Sequence, residues 1–219
     1  MPDLSQTSPA VFPLQGGLVL NKSTFAMQPG EAIELVNFEP DINGGYRRIN
    51  GFAKYNTNIV PITSASTEEV LLSCIFNGTI LAARGEKIFT ASAGSGSWTE
   101  RDSGRTSAGV YTFERFNFDG NDKLIVADGN NAPTVFNTSF AATDVSSGGG
   151  GEVTTAVTGA KFVVAFEDHM FYGGMASNKQ EVVFSVPFDE DSFATGSGAG
   201  SFKVDDTITG LKVFREDLF

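Results

Sequence analysis

The segment Val70–Gly85, VLLSCIFNGTILAARG, carries the pattern on which the fold prediction rests. Two apolar runs flank Asn77-Gly78, a dipeptide that tolerates the positive φ angles of a two-residue type I′ turn. The segment therefore predicts a β-hairpin. Its first strand, VLLSCIF, is almost wholly apolar, which is typical of a strand buried on both faces.

Two later segments repeat this form. RFNFDGNDKLIVADG (Arg115–Gly129) is expected to turn through Gly120-Asn121-Asp122, and KFVVAFEDHMFYGGM (Lys161–Met175) is expected to turn at Asp168-His169. A fourth copy begins in LKVFREDLF, with a turn at residues 215–217. The first apolar residues after the four turns are separated by 44, 46 and 48 positions: Ile80, Leu124, Met170 and Leu218.

Each of the first three hairpins is followed by a third strand, which we place at Lys87–Ser92, Pro133–Thr138 and Glu181–Val186. A period near 45 residues with three or four strands per repeat is typical of β-propeller blades. A β-sandwich with evenly spaced hairpins is the alternative. We therefore predict an all-β fold, a partial β-propeller of antiparallel blades behind a strand-rich N-terminal entry segment.

The predicted boundaries follow from this repeat. The entry segment covers residues 1–63, and the propeller-like blades occupy about 64–108, 109–157 and 158–209, with a fourth begun at 210. The Gly-rich stretches Ser146–Gly151 and Ala194–Ser201 are expected to separate the second blade from the third and the third from the fourth. Because a propeller needs at least four blades, the sequence is interpreted as the N-terminal part of a longer protein.

The charge balance and the rarity of His and Cys narrow the possible functions. The net charge is −11, and residues 1–67 contribute only −1 of it. Such an acidic surface repels phosphate backbones, which disfavours specific nucleic-acid binding. With one His and a lone Cys74, a zinc site, a His-dependent nucleophile and an internal disulfide are all disfavoured, and a reducing compartment is favoured. No apolar run approaches membrane-spanning length.

Several clusters could carry chemistry, but each has a simpler interpretation. The acids Asp189, Glu190 and Asp191, like the pair Asp119 and Asp122, lack the alternating ligand spacing of a calcium loop and are interpreted as solvated turns. His169 lies in a predicted turn with no nucleophile singled out beside it. The stretch Ser92–Trp98, SAGSGSW, resembles the Asp-box of sialidase-type propellers but lacks its acidic position.

Residues 14–55 differ from the repeats. Gly16-Gly17 is expected to open a strand, Pro29-Gly30-Glu31 to form a tight turn, and AIELVNF (32–38) to form one strand. The hairpin turn DINGG (Asp41–Gly45) then leads into the return strand YRRINGFAKY. Arg47 and Arg48 are the only adjacent basic residues in the chain. They are interpreted as solvating an edge strand, or alternatively as docking on the acidic surface of a neighbouring subunit.

These N-terminal motifs resemble the N-terminus of virion proteins of tailed bacteriophages, the large propeller-bearing tail proteins that include the nozzle or tail-tubular proteins of short-tailed phages. The matching motifs are Gly16–Leu18, Met27 with Pro29–Ala32, Glu34-Leu35 with Asn37, Gly44–Arg48, and Gly51-Phe52. The repeats that follow, including Gly210–Phe219 as a blade opening, are similar to the same group.

The resemblance implies a structural component of a phage tail or head–tail connector, not an enzyme, and without a cofactor or metal. The expected partners are further copies in a ring and other tail proteins, with possible non-specific contact to exiting genome DNA and none to a membrane. The expected location is the virion tail, after assembly in the host cytoplasm. An acidic channel wall would keep exiting DNA from adhering.

Two other functional classes remain open at the level of sequence. A glycan-binding propeller on the phage surface would recognise host polysaccharide through exposed aromatic residues, for which Trp98, Tyr111 and Tyr172 are the candidates. A propeller glycoside hydrolase would need two facing carboxylates at a defined separation. The missing acidic position in Ser92–Trp98 disfavours this second class.

Overall fold

The computed structural model describes residues 16–63, 69–94, 96–145 and 157–219, and these form an all-β protein, as predicted. Within the described residues, helical structure is limited to two single 3₁₀ turns, Thr24–Ala26 and Thr195–Ser197. The chain divides into two compact units, Met1–Ala53 and Lys54–Phe219. The boundary expected at residue 63 stays a prediction.

The first unit contains two small sheets. Strands β1 (Gly17–Leu18) and β2 (Glu31–Ala32) pair in parallel, and β3 (Phe38–Pro40) and β4 (Tyr46–Arg48) form an antiparallel hairpin. The turn of this hairpin lies at residues 41–45, where DINGG predicted it.

Two strand predictions in the first unit are wrong in length. The single strand expected from AIELVNF does not form: Ala32 ends β2, Phe38 begins β3, and residues 33–37 lie in neither strand. Asn37, directly before β3, has a positive φ of 61° that extended backbone does not allow. The return strand is limited to Tyr46–Arg48, and residues 49–54 continue without regular structure.

In the second unit, the described residues form three four-stranded antiparallel sheets, each an up-and-down meander, followed by a two-stranded hairpin. Sheet 1 comprises β5 (Val70–Phe76), β6 (Thr79–Arg84), β7 (Lys87–Ala91) and β8 (Thr99–Ser103). Sheet 2 comprises β9 (Thr112–Phe118), β10 (Asn121–Ala127), β11 (Thr134–Asn137) and β12 (Ala142–Asp144). Sheet 3 comprises β13 (Phe162–Phe166), β14 (His169–Met175), β15 (Asn178–Phe184) and β16 (Gly200–Lys203). The terminal hairpin comprises β17 (Val213–Phe214) and β18 (Asp217–Leu218).

All four opening hairpins turn through two residues with positive φ, the backbone of a type I′ turn. The turn at Asn77-Gly78 is confirmed. The turn predicted at residues 215–217 is confirmed at Arg215-Glu216, since Asp217 already belongs to the next strand. The other two turns close one or two residues earlier than predicted, at Asp119-Gly120 and Glu167-Asp168. A Phe directly precedes every one of these turns, and the sequence analysis missed this signal: Phe76, Phe118, Phe166 and Phe214.

The sheets stack in layers, and sheet 2 is covered on both faces. Side chains of β10 alternate between the layers, as the pleat requires. Leu124 and Val126 pack against the core of sheet 1, whereas Ile125 and Ala127 pack against the core of sheet 3. The strand that is buried on both faces is therefore the second of its meander.

The first strand, β5, does not have the predicted burial on both faces. Its side chains alternate, and Ile75 is 65% exposed whereas Cys74 and Phe76 are buried. Residues 55–63 precede sheet 1 and contact it at both ends, and we call them the covering segment. The Tyr55 hydroxyl donates to the Gly78 carbonyl at 2.9 Å, and Arg84 Nη1 donates to the Val60 carbonyl at 2.6 Å. The covering segment thus spans sheet 1 from one end to the other.

The boundaries predicted at the two Gly-rich stretches differ in what the structure shows of them. Ala194–Ser201 lies within sheet 3, where it contains a 3₁₀ turn and leads into β16, so its prediction as a boundary before the fourth repeat is wrong. Ser146–Gly151 lies outside the described residues. The connection that enters the terminal hairpin is instead residues 204–212, and within it the N–H of Ile208 donates to the carbonyl of Lys179.

Candidate functional site

The basic pair of the first unit lies on β4. Arg47 is occupied within its own hairpin, since its guanidinium contacts Glu39 Oε1 at 2.9 Å and lies 3.8 Å from Asp41 Oδ2. Arg48 is exposed, and among the described residues its side chain forms no hydrogen bond or ion pair. Of the two residues predicted for subunit docking, Arg48 is therefore the one with a guanidinium available to an acidic partner.

The three aromatic residues of the glycan hypothesis lie at separate places in the second unit. Trp98 is half-buried before β8 and donates its indole N–H to the Asn58 carbonyl at 3.0 Å. Tyr111 packs against the core between sheets 1 and 2. Tyr172 is fully buried between sheets 2 and 3 and donates its hydroxyl to the Glu190 carbonyl. Because Tyr172 is a core residue, it does not fit the exposed role that glycan contact requires.

The predicted acidic turns are tied into local structure. Glu190 is buried and forms an ion pair with Lys123 of sheet 2, so this carboxylate joins sheets 2 and 3. Asp122 pairs with Arg115 at 2.6 Å on the exposed side of the hairpin. Within residues 16–63, 69–94, 96–145 and 157–219, no group of three or more His, Cys, Asp or Glu side chains is arranged to hold a metal ion.

His169 begins β14 and is not a turn residue, contrary to the prediction. Its Nδ1 lies 2.5 Å from the Ser185 carbonyl, and its ring packs at right angles to Phe184, with the ring centroids 5.5 Å apart. These contacts make His169 part of an aromatic face of sheet 3.

A buried ion cluster that the sequence analysis missed joins sheet 1 to sheet 2. Arg105 lies in the connection between β8 and β9, and its side chain is only 3% exposed. Its guanidinium contacts three carboxylates: Asp102 at 2.6 Å, Asp128 at 3.4 Å and Asp144 at 3.3 Å. It also donates to the Ala132 carbonyl at 2.8 Å. The planar guanidinium thereby connects the last strand of sheet 1 with both ends of the β10–β12 region.

The local structure around Asp128 explains how its buried charge is accommodated. Asp128 accepts hydrogen bonds from the backbone N–H groups of Asn130 and Asn131 and from the Asn131 amide side chain. Burial alone would raise the pKa of Asp128, but these hydrogen bonds and the charge of Arg105 hold the pKa below the ordinary aspartate value. The only sequence signal for this site was Asp128-Gly-Asn-Asn, a run typical of an Asx turn.

Tyr111 lies beside this cluster. Its hydroxyl oxygen is buried and has no hydrogen-bond partner among the described residues. Burial, with the nearby Asp128 charge, raises the pKa of Tyr111 to about 12. The cluster thus combines three carboxylates, one guanidinium and a neutral phenol, a set suited to holding two sheets together rather than to proton transfer near neutral pH.

No protein-family model matches the chain, and comparisons with curated proteins and with solved structures likewise found no match. In the part of the chain that the structure describes, no helix has the length and apolar character needed to cross a membrane.

Proposed function

We propose that the chain is a structural component of a bacteriophage tail or head–tail connector, a rigid subunit of a multimeric ring or collar. The observation that carries the proposal is the layered repeat, in which sheets 1, 2 and 3 follow one another along the chain and sheet 2 is covered on both faces. Consecutive four-stranded meanders that pack face to face suit a partial β-propeller. The N-terminal motifs that resemble tail proteins give this architecture its biological context.

The rigidity of such a subunit would come from contacts between layers. The Arg105 cluster connects sheet 1 with sheet 2, and the Lys123–Glu190 pair connects sheet 2 with sheet 3. Arg48, exposed on β4, would dock on the acidic surface of a neighbouring copy. The net charge of −11 would limit adhesion of DNA that passes through the ring.

Immunoelectron microscopy tests the location. Antibodies against the purified chain are applied to virions produced by a genome that encodes it, and the label is expected on the tail or the head–tail junction. Label on the capsid only, or its absence from virions in which the chain is detected by immunoblot, would contradict the proposal.

Assembly is tested separately by mass photometry and negative-stain microscopy of the chain. Rings of identical subunits are expected, and Arg48→Glu should reduce their number. Lys179→Glu, a charge reversal at another exposed position, is the matched control and should leave assembly unchanged. Equal assembly of both variants would remove Arg48 from the docking surface.

Glycan binding by Trp98, Tyr111 and Tyr172 is not proposed in its place. These three residues are separated and two of them pack in cores.

A further inference from the structure

Glu181, on β15, is a buried acid without a counterion. It is 6% exposed and lies on the same face of sheet 3 as Val183, which packs in the core against sheet 2. Its Oε1 accepts a hydrogen bond of 2.7 Å from the Ser201 hydroxyl. Among the described residues the carboxylate forms no ion pair, and its Oε2 accepts no hydrogen bond. Because an unpaired buried charge is costly, this oxygen is suited to receive a donor from outside the chain.

Glu181 lines a cavity of about 360 Å³ beside the turn between β14 and β15. The other residues that line it are Ala176, Ser177, Asn178, Lys179, Gln180, Lys203 and Thr207. In the described part of the chain, the Tyr111 hydroxyl is the enclosed side-chain polar atom that lacks a partner, so Glu181 Oε2 is not sealed off. The volume falls within the range of small-ligand sites.

The far wall of the cavity, residues 203–207, is fixed to β15 by hydrogen bonds. The N–H of Val204 donates to the Gln180 carbonyl, and the N–H of Ile208 donates to the Lys179 carbonyl, each at 2.9 Å. The Gln180 side-chain amide donates to the Asp205 carbonyl at 3.0 Å. The cavity is therefore held in shape by the chain itself, which lowers the entropy cost of binding a ligand.

The cavity brings opposite charges together on one face of the sheet. Lys203 lies directly opposite Glu181 in the β15–β16 ladder, and Lys179 lies two positions before Glu181 on β15, so all three share a face. Both lysines are exposed. The neutral polar side chains of the lining can donate and accept hydrogen bonds: Ser177, Asn178, Gln180 and Thr207. The lining thus carries two cations, one buried anion and several neutral polar groups.

This set of charges excludes several ligand classes. A metal ion needs several oxygen ligands and would be repelled by two ammonium groups. A simple anion would be repelled by Glu181, and an amino acid would bring its own ammonium beside those of Lys179 and Lys203. A ligand with one carboxylate and several hydroxyls avoids these conflicts, because its carboxylate pairs with the lysines while an uncharged hydroxyl donates to Glu181.

We propose that this cavity binds an acidic sugar, a saccharide unit that carries a carboxylate. Lys179 and Lys203 hold the carboxylate, and Glu181 Oε2 accepts a hydrogen bond from a ring hydroxyl. The neutral side chains of the lining orient the remaining hydroxyls. The site is separate from the three aromatic residues of the glycan hypothesis, and it does not depend on the phage-tail function.

Two sugars that differ only in the carboxylate test the proposal: methyl β-D-glucuronide and methyl β-D-glucoside. Each is titrated into the isotopically labelled 219-residue chain, and amide chemical shifts are followed by NMR. Saturable shifts are expected for the glucuronide at residues of the cavity, with those of the first unit unchanged. The neutral glucoside should bind at least about fivefold more weakly, because it lacks the ion pairs with the lysines.

Three variants separate the contacts. Lys203→Gln should weaken glucuronide binding about threefold, whereas Lys54→Gln, at an exposed lysine outside the cavity, is the matched control and should bind like the parent chain. Glu181→Gln replaces an acceptor with an amide donor and should weaken binding about tenfold, the effect of losing a hydrogen bond to a charged group. Because Lys203 is exposed, its variant remains informative even where Glu181→Gln impairs folding.

Four results would overturn the proposal. The first is the absence of saturable glucuronide binding, and the second is equal affinity for the glucoside. Tighter binding by Glu181→Gln would indicate a site for simple anions, since it removes only repulsion in that case. Tighter binding of free glutamate than of the glucuronide would assign the cavity to an amino acid.

Equal losses in Lys203→Gln and Lys54→Gln would also count against the cavity, because the sugar would then respond only to the overall charge of the chain.

Discussion

Sheet 2 and the terminal hairpin begin in the same way and end very differently. Each opens with a Phe before a two-residue turn in which both φ angles are positive, 56° and 75° at Asp119-Gly120 and 50° and 68° at Arg215-Glu216. Yet Phe118 is 6% exposed and Phe214 is 59% exposed. The same local geometry forms at both places, and the neighbouring layers decide how much apolar surface it buries.

The difference in burial between sheet 2 and the terminal hairpin implies a difference in how much each contributes to stability. Residues 124–127 of β10 are buried against two separate cores, whereas β17 and β18 form a hairpin of two residues per strand. Isolated two-stranded hairpins are marginally stable in water, because turn and ladder alone barely offset the lost chain entropy. Sheet 2 should therefore carry much of the stability of the second unit, and the hairpin little.

The largest expected effect comes from the core between sheets 1 and 2. Phe136→Ala should lower the free energy of unfolding by about 3–5 kcal/mol, because it leaves a cavity at a fully buried position. Phe214→Ala should change it by less than about 0.5 kcal/mol. Denaturant unfolding followed by circular dichroism measures both, and similar losses in the two variants would refute the contrast.

The Arg105 cluster should have the next largest effect. Arg105→Ala leaves three carboxylates without their cation, one of them fully buried, and should cost about 3 kcal/mol. The exposed Arg48→Ala serves as the control and should be nearly neutral.

The same variant makes a signed prediction for pH. The pKa of Asp128 is lowered in the folded state, so its stabilising contribution is present above the ordinary aspartate pKa and is lost as the pH falls through the folded value. Removing Arg105 should bring the folded pKa nearer to the unfolded one. The stability of Arg105→Ala should then fall less on acidification than that of the parent chain. An equal or steeper fall would show that Arg105 does not hold the Asp128 charge.

The reactivity of Cys74, which lies in the same core as Phe136, measures how well that core excludes water. Burial raises the pKa of its thiol to about 11, so near pH 8 its thiolate fraction should be about 100-fold below that of a free cysteine. Iodoacetamide should therefore modify the native chain at least about 100-fold more slowly than the chain in urea. Phe136→Ala should accelerate the reaction and Phe214→Ala should not; acceleration by both would place the hairpin and the core in one cooperative unit.

The smallest expected effect is on the stability of the terminal hairpin. Arg215 and Glu216 occupy a turn that favours Asn-Gly, the dipeptide found at Asn77-Gly78. The double variant Arg215→Asn and Glu216→Gly should stabilise the hairpin by about 1 kcal/mol. The Phe219 amide, which donates to the Lys212 carbonyl, should then exchange about fivefold more slowly. Unchanged exchange would mean that turn strain does not limit the hairpin.

Local signals predicted the repeats well, because turn chemistry and strand alternation act over a few residues. Asn77-Gly78 marked its turn correctly, whereas the turn at Glu167-Asp168 was predicted one residue late, at Asp168-His169, because Glu seldom adopts positive φ. The burial of Tyr172 could not be predicted from β14, since both alternating sets of side chains in HMFYGGM are largely apolar. Only the position of sheet 2 decides which set is covered.

The ion cluster was unpredictable for a different reason. Asp102, Asp128 and Asp144 are widely spaced in sequence and meet at Arg105 only when two complete sheets stack. No short sequence pattern predicts a contact among residues that are so far apart along the chain. The Phe directly before each turn is a local signal of a different kind, because it stands at a fixed distance from the turn in all four repeats.

The covering segment has a consequence for the order of folding. Each sheet is continuous in sequence and packs on its immediate neighbours, which allows structure to spread from one layer to the next. Residues 55–63 precede sheet 1, so during synthesis we expect them to be available to sheet 1 before sheet 2 has left the ribosome. Each later sheet would then pack on a layer that is already formed, and apolar faces would be exposed on the growing chain one layer at a time.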